Sequence, residues 1–134
     1  MADIGVVVRW TSAEQRFTCD GRSGSIALNA GSGDGVGPME ALAQAMAACM
    51  AADVVEILAK MRVPLSSLEV RVAGDRAPEP PRRYTALRLE WRAGVAKESE
   101  GKLRRAVELS REKYCSVMHS LRSDIQWGTE IVLV

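Results

Sequence analysis

The sequence predicts an α+β protein, and three observations carry that prediction. Runs of alternating or β-branched residues stand near both ends of the chain, a long helical stretch opens at Pro38, and an amphipathic helical pattern lies between the later strands. The 134 residues fit one domain spanning 1–134 and suffice for a hydrophobic core.

Residues 4–10, 16–19 and 25–29 are short strand-like runs separated by Thr-Ser and Asp-Gly turn signals, which predicts a three-stranded antiparallel meander. The glycine-rich stretch 31–37 breaks all periodicity. Pro38 then suits the first position of a helix, where its missing N–H would go unpaired in any case. The helix is expected to run from 38 to about 62, because Val63 precedes Pro64 and is pushed out of the α region. At ~1.5 Å per residue it would be about 37 Å long, close to the ~36 Å across a globule of this size. From 41 to 52 only Gln44 is polar, so this part needs cover on every side. One thin sheet cannot supply it, and cover is expected from the second half of the chain and from another subunit.

The second half reads as a strand over 67–73, a loop holding Pro78, Pro80 and Pro81, and a strand over 84–92. In the latter, Leu87, Leu89 and Trp91 share one face and Arg88, Glu90 and Arg92 the other, as in one half of a hairpin. An amphipathic helix follows from 99 to about 114 with Leu103, Ala106, Val107 and Leu109 on one side. A short helix over 115–121 comes next. The alternating Ile125, Trp127, Thr129, Ile131 and Leu133 end the chain as a strand. There is no internal repeat and no low-complexity segment.

Composition narrows the function. The 18 basic and 17 acidic side chains nearly cancel, leaving no overall field to hold nucleic acid or an anionic membrane. The first residues show no basic region leading into an apolar one, so a cytoplasmic protein is expected. The longest apolar run, 45–52, is far short of the ~20 residues that cross a bilayer, and no membrane association is expected. Three scattered cysteines, an odd count, are unlike a secreted disulfide framework and point to reduced thiols.

Two cysteines stand out. Cys49 lies mid-helix among alanines and methionines, where a small buried hydrophobe and a nucleophile are both admissible. Cys115 opens a new helix, whose N–H groups and dipole should favour a thiolate. Cys19, in a strand, reads as a bystander. His119 follows Cys115 by one helical turn and reads as a surface histidine, a Cys–His dyad being the alternative. No metal or other cofactor is expected, since neither Cys-x-x-Cys nor a paired histidine supplies ligands locally. The stretch 31–37 lacks the spacing and the Gly-Lys-Ser/Thr ending of a phosphate loop.

Two local patterns add to this reading. Pro38-Met-Glu-Ala-Leu-Ala-Gln-Ala-Met-Ala-Ala-Cys49 resembles the central helix of the osmotically inducible protein C and organic hydroperoxide resistance (OsmC/Ohr) family, and Glu112-Lys-Tyr-Cys115-Ser-Val resembles its second cysteine motif. The order of elements is similar too, and the stretch 51–61 looks closest to the YhfA-like branch. The resemblance implies an OsmC-like fold, with antiparallel sheets wrapped around long central helices in an intertwined homodimer. It implies a thiol peroxidase acting on organic hydroperoxides, with Cys49 peroxidatic, Cys115 resolving, and a dithiol reductant restoring both. Trp10 to Arg16 repeats the family's spacing to the arginine that holds the thiolate. Arg22, in a Gly-Arg-x-Gly pattern, and Glu40, one place later than the family's glutamate because Met39 follows Pro38, are secondary candidates. The alternative is a redox-sensing or apolar-ligand-binding dimer of the same fold without catalysis.

Overall fold

The structure is a computed structural model and describes residues 3–134. The chain divides into two compact units, one ending at Gln44 and the other spanning Ala45–Val134.

The first unit holds strands β1 (Val6–Trp10), β2 (Arg16–Gly21) and β3 (Ser25–Asn29), paired antiparallel in that order as expected. Asn29 organises the glycine-rich stretch after β3. Its buried side chain donates to the carbonyl of Asp34 at 2.8 Å and accepts from the Gly31 amide at 3.0 Å. Gly33 and Gly35 adopt φ of 100° and 114°, the left-handed region where a side chain would be strained. The loop thus spends its polar groups on itself and on Asn29. Val6, Val8, Trp10 and Ile26 remain largely exposed on this sheet.

Helix α1 (Pro38–Lys60) opens with Pro38 and ends two residues short of the expected stop. Its end is a left-handed cap. Arg62 takes φ 59°, its amide bonds to the Ala59 carbonyl, and the Val63 amide bonds to Leu58. This is the double-bonded termination in which the residue after the left-handed one packs back on the last turn, and Val63 and Leu58 are both buried. The proline at 64 therefore follows a helix already closed.

In the second unit β4 (Leu68–Arg76) and β5 (Tyr84–Ala93) form the expected antiparallel hairpin, but β6 (Gln126–Leu133) pairs parallel to β5. The sheet, in order β4-β5-β6, is therefore mixed and not purely antiparallel. Alternation in β6 identifies a strand but not its direction. A parallel return requires a crossover of a dozen or more residues, and α2 (Glu100–Leu109), a π-helical turn (Ser110–Tyr114) and α3 (Ser116–His119) supply it. The core of this unit joins Met46, Met50, Val54 and Leu58 of α1, at i, i+4 spacing, to Leu87, Leu89 and Trp91 of β5 and to Leu103, Ala106 and Val107 of α2. Arg88, on the opposite face of β5, pairs with Asp75.

Helix α1 departs from the sequence expectation in a second respect. Counting an uninterrupted apolar run undervalues it, because its most apolar 18-residue window has a mean hydropathy of 1.6, long and apolar enough to cross a bilayer by length and composition. Such a window also fits a core helix, but 28% of it is buried within this chain. Val55, for example, is exposed.

Candidate functional site

All the groups gathered around Cys115 belong to the second unit. Cys49 and Asp53 stand one helical turn apart on α1, so their side chains share a face. Cys115 is the N-cap of α3, held there by the π turn, which is closed by the Cys115 amide bonding to the Ser110 carbonyl at 2.9 Å. The amphipathic pattern predicted one helix to 114. The wider turn from Ser110 shifts the phase, and such turns recur at functional sites.

The side-chain donor atoms of Cys49, Asp53 and Cys115 all lie within 4.8 Å of one another. Cys115 is fully buried, whereas Cys49 and Asp53 are half-buried. The Met118 amide donates to the Cys115 sulfur at 3.3 Å. Ser110, also buried, donates its hydroxyl to the Asp53 carboxylate at 2.9 Å and lies 3.4 Å from the Met50 carbonyl.

Cys115 is not acidic despite its place at a helix start. Burial pushes this thiol from an ordinary 9.0 up to about 11, the Met118 amide lowers it in part, and Cys49 and the Asp53 carboxylate beside it raise it further. Desolvation outweighs a dipole contribution from a helix of one turn. Cys115 is a thiol at neutral pH.

Protein stability should report this shift. The folded chain keeps a proton that the unfolded chain releases above about pH 9, so the contribution is full below that pH and is lost as pH rises toward about 11. Urea midpoints measured across this window should fall more steeply for the parent than for Cys115→Ser. Equal slopes would show that the thiol is not desolvated.

Of the other residues singled out in sequence, Cys19 is half-buried in β2 and His119 is exposed, its amide bonded to the Cys115 carbonyl. Neither belongs to the three-donor group. Arg16, Arg22 and Glu40 are exposed residues of the first unit, at the start of β2, in the β2–β3 turn and in the first turn of α1. Asp53 and Ser110 had not been singled out. The i, i+4 spacing from Cys49 was a readable signal for Asp53, an acid set in an apolar helix. Ser110 had none, since its role depends on the π turn. Beyond Asp53 the surface forms a cleft of ≈ 460 Å³ lined by Asp53, Glu56 and Lys60 as well as by Ile57, Met61, Leu109 and Tyr114.

A family profile described as OsmC-like protein matches residues 31–130. The chain belongs to the OsmC-like family. This OsmC-like chain is 37% identical over 112 residues to protein YhfA of Escherichia coli (strain K12), covering 82% of this chain and 83% of that one. A crystal structure of a hypothetical protein from Aquifex aeolicus VF5 superposes with a TM-score of 0.86 at 26% identity, covering 100% of this chain and 98% of that chain. An organic hydroperoxide resistance protein OsmC from Legionella pneumophila shares the fold at a TM-score of 0.70 and 12% identity, covering 98% of each chain. The OsmC-like resemblance and the α+β fold read from the sequence are thus both borne out.

Proposed function

We propose that this OsmC-like protein is a dimeric, thiol-dependent peroxidase that reduces organic hydroperoxides. The observation that carries the reading is the approach of Cys49 and Cys115, brought from different helical segments to within 4.8 Å. In the first step the Cys49 thiolate attacks the terminal oxygen of the hydroperoxide, the O–O bond breaks, and the alkoxide leaves to be protonated as an alcohol. Cys49 is then a sulfenic acid. In the second step the Cys115 sulfur displaces the hydroxyl, and the proton that Cys115 carries as a neutral thiol leaves with it as water. A dithiol reductant restores both cysteines.

Asp53 constrains this scheme, because a carboxylate beside the sulfurs opposes a thiolate. The reading assigns the opposing cation to Arg16 on the strength of the sequence resemblance. Ile57, Met61, Leu109 and Tyr114 in the cleft beside Asp53 offer the alkyl part of an organic substrate a contact that hydrogen peroxide cannot use. A second copy of the chain would cover the exposed apolar residues of the β1–β3 sheet and the uncovered faces of α1.

Titration of the reduced protein tests the reading. Cumene hydroperoxide should remove two thiols per chain rapidly, and hydrogen peroxide should do so at least about tenfold more slowly, as an apolar cleft discriminates by 1–3 kcal/mol. Slow oxidation indifferent to the oxidant would support the non-catalytic sensor instead, a reading that the carboxylate beside the thiols favours.

A further inference from the structure

We propose that Cys49, Asp53 and Cys115 form a zinc site with two thiolates, one carboxylate and an open fourth position. This inference is independent of the peroxidase reading. The sequence argued against a metal because no local pair of ligands exists, but the fold assembles three donors from α1 and the start of α3. Zinc binds sulfur at ~2.3 Å and carboxylate oxygen at ~2.0–2.2 Å, so donors around a tetrahedral ion stand roughly 3.5–3.8 Å apart. The donors here lie within 4.8 Å of one another, and closing the difference takes at most about 1.0–1.3 Å of side-chain movement.

The surroundings suit a metal ligand set. Ser110, fully buried, donates to one carboxylate oxygen of Asp53 and so orients the group, the kind of outer contact that supports ligating carboxylates. The donor softness also selects the ion: two thiolates favour a d¹⁰ cation over magnesium or calcium, which prefer oxygen. Both sulfurs ligate as thiolates, Cys115 giving up its proton on binding, and three anionic donors around a divalent cation leave one net negative charge. A carboxylate held against two sulfurs, costly by itself, then has a cation to face. Three protein ligands leave the fourth position to water or a small anion. Joining the two sulfurs as a disulfide removes two of the three donors, so metal binding and oxidation exclude one another.

The test is zinc titration of the reduced, metal-stripped full-length chain against a chromophoric chelator, with cadmium as a second probe read by its thiolate charge-transfer absorption. One ion per chain, with proton release on binding, is expected. Cys49→Ser should weaken binding at least about 100-fold and Asp53→Asn at least about tenfold, while Cys19→Ser leaves it unchanged. Should Cys115→Ser fail to fold, the half-buried Cys49 and Asp53 variants decide the matter, with circular dichroism confirming their fold. Absence of binding, full affinity in Asp53→Asn, or loss of affinity in Cys19→Ser would each overturn the proposal.

Discussion

Replacing Cys49 by serine is expected to abolish hydroperoxide consumption, whereas replacing Cys115 should leave one rapid turnover. The asymmetry follows from the two steps. The first needs a sulfur that attacks the peroxide, and the second needs a neighbour to release the product. Cys115, fully buried and held as a thiol up to about 11, is unsuited to the first step. In Cys115→Ser, Cys49 should be stranded as a sulfenic acid that dimedone traps and mass spectrometry locates. On the proposed role of Arg16 as counter-charge, Arg16→Ala should slow the single turnover by about tenfold or more, since a neighbouring cation shifts an acidic group by ~1–3 pKa units. If Cys115→Ser consumes no peroxide while Cys49→Ser does, the roles are reversed. If both variants behave like the parent, the chemistry lies elsewhere.

Trp91→Ala should cost about 3–5 kcal/mol of stability, the range for emptying a large aromatic site in a packed core. Trp91 is 0% exposed and stands on β5 between Leu89 and Ala93, both also buried. Its indole N–H has no hydrogen-bond partner among the described residues. A buried unpaired donor costs ~1–3 kcal/mol, so Trp91→Phe removes that cost along with part of the ring and should lose less than about 2 kcal/mol. Urea unfolding of the two variants measures the difference. Equal losses would show that the N–H is satisfied in solution and that its loss offsets the ring phenylalanine retains.

Most elements were legible because each is announced by a local rule. Pro38 marks a helix start, and alternation at Leu87, Leu89 and Trp91 marks a strand with one buried face. The amphipathic pattern after 99 predicts one helix, yet the structure gives way at Ser110 to a π turn. Apolar spacing carries no mark of that change, since one extra residue in the turn alters the phase without altering the composition.

The sequence by itself determined the order of strands and helices, the OsmC-like family and the two cysteines of interest, because these rest on local periodicity and motif spacing. It could not decide the direction of β6, which depends on a crossover whose length fits but whose path is a tertiary matter. Nor could it decide the chemistry of Cys115. The sequence supplies a helix start, which lowers a thiol pKa, while the fold supplies burial and a carboxylate, which raise it, and burial is the largest cause. The gathering of Asp53 and Ser110 with the two thiols belongs to the same class of fact. Residues far apart in the chain share a site only when packing places them there, and the desolvation that governs their charge exists only once they are packed.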